Sequence, residues 1–181
     1  RKPVRMRFAF VHAYPVYHDG VSTEEWLTRV LQEQWMAEDL ARRGHEVEYW
    51  AVGAEREDRP MPKAEPPLYV FRQFPPDRRA GRTRTHFSSE LADRARAFKA
   101  HLHLLKGVDG GAGNHLLRSF LLPEGRPFVF MLGGGHDSPF VRRARFVLCE
   151  TERQKTRLMK PGLRFCRRPV PAERLATLPK P

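Results

Sequence analysis

The sequence predicts an α/β fold, an open, doubly wound and mostly parallel sheet of Rossmann-like type. Three observations carry that prediction. The apolar run at residues 5–11 (RMRFAFV) leads through an amphipathic stretch into HEVEYWAVG, a β-α-β unit whose crossover is long enough to demand parallel pairing. Strand-like and helix-like segments then keep alternating along the chain. Gly, His and Asp gather in the connections that follow strands, where such sheets place their ligands.

Each element has its own warrant. The first strand ends in apolar residues suited to burial on both faces. Ser22 or Thr23 can cap the helix that follows, and Glu24 and Glu25 favour its positive dipole end. Trp26, Leu27, Val30, Leu31, Ala37, Leu40 and Ala41 recur at helical spacing, so one helix is predicted through Arg43, with Gly44 as a left-handed stop. Strand two is HEVEYWAVG, residues 54–66 read as a polar, proline-studded connection, and LYVFRQF at 68–74 is the third strand. PPDRRAGRTRTH is a basic loop without periodicity, and SSELADRARAFKAH is a helix with Leu91, Ala95 and Phe98 on one stripe. HLHLLKG either prolongs that helix or forms a short strand, and strand is preferred.

VDGGAGNHLLRSFLL gives a flexible glycine-rich loop and a short helix, and RPFVFMLGGGH a strand running into three glycines. ARFVLCE is a strand, TERQKTRLMK a helix halted by Pro161 and Gly162, and LRFCRRPV a last strand. PAERLATLPKP reads as a linker leaving the domain. The expected organisation is therefore one Rossmann-like domain over residues 1–171 and the start of an interdomain linker over 172–181. There is no internal repeat.

Composition bounds what this domain can be. With 181 residues and 40% hydrophobic content, the chain can bury one core but not two full α/β domains. Its 12 Phe and 3 Trp argue against disorder. No run reaches the roughly 18 apolar residues that a membrane-spanning helix requires. RKPVRMRFAF lacks a cleavage-site pattern and does not read as a signal peptide; without an initiator Met, the natural N-terminus is expected upstream. Cys149 and Cys166 offer neither metal spacing nor a disulfide framework, which fits a reduced, cytoplasmic setting.

The formal charge of +12 is uneven: residues 141–181 hold 12 Lys or Arg against 3 Glu, a net +9. Such asymmetry points to an anionic partner for the C-terminal end, or to a solvated basic face. No RNP, zinc-finger or helix-turn-helix signature accompanies it, so no nucleic acid is expected as partner.

Three loops belong at the carboxyl edge of the sheet: residues 12–22, 107–114 and 133–140. In the first, Gly20 either lets the backbone approach a ligand beside a helix start or simply makes an Asp-Gly turn. Asp19 can bind a hydroxyl or close that turn, and His12 reads as a satisfied sheet-edge histidine. In the third, three glycines after a buried strand imply close approach or unusual dihedrals, and they present His136 and Asp137 to the crevice. His136 can hydrogen-bond a sugar or phosphate or carry a proton near neutral pH; otherwise it faces water. KGVDGGAGNH lacks the ending of a phosphate loop and reads as a flexible turn. Cys149, at a buried strand end without a neighbouring His, is not expected to be a nucleophile.

The strand, single-glycine loop, amphipathic helix and LARRGHEV entry into strand two resemble the N-terminal domain of family-4 retaining glycosyltransferases of the two-Rossmann, or GT-B, fold. VFMLGGGHD and FVLCETERQKTRL resemble later parts of the same domain, and RRGHEV is shared across several GT-B families. The resemblance implies transfer of a sugar from a nucleotide-sugar donor to a hydroxylated acceptor with retention, without a metal or other cofactor. It implies Gly20 near the donor diphosphate, His136 as the catalytic group beside the transferred sugar, and Tyr14, Tyr17, His18, Asp19 and Asp137 on the acceptor side. The C-terminal donor-binding domain of that family is absent from this chain, and RRPVPAERL lacks the family's proline-asparagine-glycine turn. The missing domain, or the donor phosphates, would be the partner of the basic C-terminal segment. A cytoplasmic location with peripheral contact at an anionic inner membrane face is expected.

The alternative is a non-catalytic Rossmann-like module whose basic surface, through PPDRRAGRTRTH and the helix after it, docks on an anionic membrane or nucleic acid. A small nucleotide-dependent hydrolase or reductase is disfavoured by the missing phosphate and dinucleotide fingerprints.

Overall fold

A computed structural model describes residues 4–62, 66–135, 138–161 and 168–178. Eight strands form one sheet: β1 (Arg7–His12), β2 (Glu46–Val52), β3 (Glu57–Met61), β4 (Tyr69–Phe74), β5 (Leu102–Lys106), β6 (Phe128–Met131), β7 (Phe146–Cys149) and β8 (Leu175–Thr177). Their order is β3-β4-β2-β1-β5-β6-β7-β8, and every pair is parallel except the antiparallel β3–β4 edge. The chain winds outward from β1 through β2 and β4, then returns to β5 and continues through β8. Strand order therefore reverses between β1 and β5, where His12 is in register with Lys106.

Helices α1 (Thr23–Leu27) and α2 (Leu31–Arg42) cover one face; α3 (Ser89–Phe98), α4 (Gly111–Leu116) and α5 (Glu152–Leu158) cover the other. On the first face Phe10, Trp26, Tyr49 and Phe71 pack ring against ring, with centroids 5.7–6.0 Å apart. On the second, Trp50 packs edge-on to Phe98 beside Leu105, Phe120 and Phe130. Each large side chain buried this way contributes on the order of 2 kcal/mol. The two apolar layers explain why the central strands read as continuous hydrophobic runs.

Within that core Glu48 is 5% exposed, and it is satisfied. It accepts from Trp50 Nε1 at 2.7 Å, from Arg72 Nε at 2.9 Å, from Arg94 Nε at 3.0 Å and from Arg94 Nη2. Burial opposes its ionised form, but Arg94 and Arg72 together with Trp50 outweigh that and hold its carboxyl below the usual range.

Four sequence expectations are corrected here. The single helix to Arg43 is two helices, broken at residues 28–30; Gln34 Nε2 donates to the carbonyls of Leu27 and Val30 and fastens the break. The connection 54–66 contains β3, an edge strand that tolerates Pro60 because Pro there deprives no second neighbour of a hydrogen bond. The segment expected to leave the domain as a linker contributes β8, paired with β7 through Leu175, Ala176 and Thr177. The glycine-rich turn at 107–114 is partly helix, since α4 begins at Gly111. Most of the strand expected at LRFCRRPV lies outside the described residues. Among the described residues, no helix is long and apolar enough to cross a membrane.

Candidate functional site

The reversal of strand order opens a crevice at the carboxyl edge, between the tips of β1 and β5 and the break between α1 and α2. A cleft of about 340 Å³ lies there, lined among others by His12, Asp19, Arg29, Glu33 and Lys106. Lys106 ends β5 and holds the cleft's floor together. Its Nζ lies 3.4 Å from Glu33 Oε1 of α2 and 3.1 Å from Glu150 Oε1 beyond β7, and it donates to the Leu132 carbonyl at 3.2 Å. Glu33 is 3% exposed, so this ammonium is what makes its burial tolerable. Gln154 braces the same corner: its Oε1 accepts from the Glu150 amide and its Nε2 donates to the Gly133 carbonyl.

His12 sits edge-on to Trp26, with centroids 4.9 Å apart. Its Nδ1 is shut off from solvent without a hydrogen-bond partner in the protein. Burial, then the positive charge of Lys106, then His18, push its pKa down to about 3. At neutral pH His12 is therefore an uncharged imidazole, with hydrogen on one ring nitrogen and a lone pair on the other, and not an imidazolium acid.

The loop after β1 is braced from below by residues 83–86 and 109. Tyr14 donates its hydroxyl to Asp109, which also meets Arg84 at 3.2 Å. Burial, reinforced by Asp109, raises the Tyr14 pKa and keeps its phenol protonated. The Tyr17 hydroxyl and His86 Nδ1 are 2.7 Å apart; His18 Nδ1 and Thr83 Oγ1 are 2.8 Å apart. His18 also stacks on Tyr14 at 5.1 Å. The polar ends of Tyr14 and Tyr17 are thus engaged inside the protein, whereas Asp19 is exposed and lines the cleft.

Gly20 follows the turn Val16–Asp19 with φ 72°, the left-handed conformation that explains a glycine at this turn. A Cβ there would meet nothing, so the chain's own packing imposes no close approach. The helix start beyond it is partly occupied, because Ser22 Oγ already accepts from the Glu25 amide. The other two glycine clusters behave in opposite ways. A Cβ on Gly110 would run into the Ala13 carbonyl, and one on Gly111 into the Thr85 carbonyl, so these glycines let α4 nest against the residue after β1 and against the 85–86 backbone. Gly133 and Gly134 have open space around them and no positive φ. The fold does not require them.

His136 and Asp137 lie outside the described residues, and Cys166 does as well. The Gly133–Gly135 run that precedes them leaves the same carboxyl edge as Gly20. A second cavity of about 570 Å³ adjoins Gly134 and is lined by Arg153, Arg157 and Lys160 of α5 and its end. Thr151 and Gln154 form a capping box that fixes the start of this helix. Cys149 is buried, and that burial pushes its thiol up to about 11, which makes it a poor nucleophile.

Sequence reasoning passed over Lys106, Glu33 and Glu150 and took His12 for a satisfied histidine. The signal was present: Lys106 closes the run LHLL, apolar but for His103, and Glu33 occupies an inward position between Val30 and Ala37. Comparison of the sequence with protein-family models finds no match, and comparison with curated proteins finds none either.

Proposed function

We propose that this chain is the acceptor-side domain of a retaining, nucleotide-sugar-dependent glycosyltransferase acting on a hydroxylated acceptor. The observation that carries the reading is the cleft at the strand-order reversal. Its lining holds an exposed carboxylate (Asp19) and an uncharged imidazole (His12) beside the Lys106–Glu33 ion pair. Groups of this kind orient hydroxyls by hydrogen bonding, which is the recognition a sugar acceptor calls for. Two features at the same edge lend support. The glycines at 133–134, which the fold does not need, leave room for a ligand to approach the backbone, and the cations of α5 supply positive charge for donor phosphates.

In this reading Asp19 and His12 position the acceptor hydroxyl, Gly20 lies near the diphosphate, and His136 lies beside the transferred sugar. The developing negative charge on the leaving diphosphate is stabilised by cations and backbone amides. The C-terminal partner domain of the resemblance would complete the donor site.

The test uses the full-length product of the gene, assayed for transfer and donor hydrolysis against a panel of nucleoside diphosphate sugars with hydroxylated acceptors. Asp19→Asn is expected to lower acceptor kcat/KM at least tenfold with little change in donor hydrolysis, and His136→Ala to lower turnover at least tenfold. A protein that neither binds nor turns over any donor of the panel overturns the assignment.

A further inference from the structure

We propose that the amino edge of the sheet, opposite the cleft, carries a second ligand site: an arginine pocket that binds a phosphate group. Because β6, β7 and β8 are parallel neighbours, their amino ends lie side by side. Each begins just after an arginine: Arg126 precedes Phe128, Arg145 precedes Phe146, and Arg174 precedes Leu175. With Arg143 they line one cavity of about 510 Å³, floored by Leu121 and Phe128. No carboxylate lines it among the described residues.

The guanidiniums of Arg126 and Arg174 are held by carbonyls, and the main chain of Arg126 and Arg145 by backbone bonds, without their charge being neutralised. Arg126 Nη2 donates to the Ala100 carbonyl at 2.7 Å, and Arg174 Nη1 donates to the Arg142 carbonyl at 3.1 Å. The Arg145 amide donates to the Phe128 carbonyl at 2.8 Å, and Gly125, at φ 60°, turns the chain so that the Arg126 amide reaches the Leu121 carbonyl at 2.8 Å. Carbonyl partners fix guanidinium direction and leave the charge intact. Meanwhile Arg126 Nε is buried with no acceptor in the protein. A set of uncompensated cations around one cavity is unfavourable until an anion arrives. Planar guanidinium forks match the oxygens of phosphate, which can take several of them at once. The volume admits a phosphate together with what it is attached to, either a small phosphorylated molecule or a lipid headgroup.

This inference is independent of the glycosyltransferase reading, because the pocket lies at the other end of the strands. It is tested with the full chain by calorimetric titration of inorganic pyrophosphate at constant ionic strength, and by co-sedimentation with phosphatidylcholine vesicles with and without phosphatidylglycerol. Saturable one-to-one binding is expected, weakened at least tenfold by the double substitution Arg143→Met and Arg145→Met. Both side chains are exposed and outside any ion pair among the described residues, so folding should survive, and an unchanged circular dichroism spectrum checks that it does. Arg126→Met, which removes the buried donor, should weaken binding as well. Pyrophosphate binding without vesicle binding identifies a soluble phosphate ligand; vesicle binding that the same substitutions abolish identifies a headgroup. Binding by neither probe, or binding that the double substitution leaves unchanged, overturns the proposal.

Discussion

At the crevice, Lys106 is enclosed by Glu33, Glu150 and a backbone carbonyl, and the neighbouring imidazole of His12 is uncharged. At the opposite edge, Arg126, Arg143, Arg145 and Arg174 share a cavity with no carboxylate among its described lining residues. The net charge of the sequence cannot distinguish these arrangements, because it counts cations and not their partners. The C-terminal excess of +9 is likewise divided in space: α5 carries part of it to the carboxyl edge, whereas Arg143, Arg145 and Arg174 face away from the crevice. A balanced site preserves its geometry when empty. An unbalanced one is a standing demand for an anion.

The largest expected effect tests the balanced side. Lys106→Met takes from the buried Glu33 carboxylate the ammonium 3.4 Å away and from Glu150 its contact at 3.1 Å. Removing one partner of a buried ionic cluster costs about 3–5 kcal/mol, which denaturant unfolding at pH 7 would register. Adding Glu33→Gln to the substitution should restore part of the loss. A variant as stable as the parent at pH 7 would mean that Lys106 balances nothing.

A smaller effect should appear in acid, and it involves both edges. His12 lies at the carboxyl end with a pKa of about 3; His103, near Arg126, is brought down to about 4, chiefly by burial. Both are held neutral in the folded chain, whereas in the unfolded chain each takes up a proton below about pH 6.5. Their contribution is complete above that value and is lost as pH falls towards the folded values. Between pH 7 and pH 4.5 each should remove about 2 kcal/mol. His103→Asn should flatten the acid limb of the stability profile by that amount, and an unaltered limb would show that the ring already carries its proton in the folded state.

The parallel core was legible in the sequence because two buried faces turn β1, β2, β4, β5 and β6 into apolar runs bounded by loops. The edges were not. β3 reads Glu-Asp-Arg-Pro-Met, since an edge strand packs little and tolerates charge and proline; β8, at three residues, is too short to show a period. The α1–α2 break escaped notice because hydrophobic spacing continues across it, and only the Gln34 bonds to two carbonyls reveal the stop. In the candidate site, the β1 loop and the glycine run after β6 were singled out because glycine next to a strand end is a local signal. Lys106, Glu33 and Glu150 come from three distant segments, and only the fold brings them together.

The smallest expected effect tests the unbalanced side and sharpens the contrast most. In the unliganded protein, neutralising Arg143 and Arg145 by methionine removes no ion pair seen among the described residues, so stability should stay within about 0.5 kcal/mol of the parent. At low ionic strength it should rise slightly, because fewer like charges share the pocket, and that gain should vanish near 0.5 M salt, where screening acts over only about 4 Å. Thermal unfolding of both proteins across a salt series measures this directly. A clear loss of stability would mean that these arginines are structural, tied to the fold as Lys106 is, and the distinction between the two edges would collapse. Near-neutrality would leave them free to serve a ligand, with their charge uncommitted to the fold.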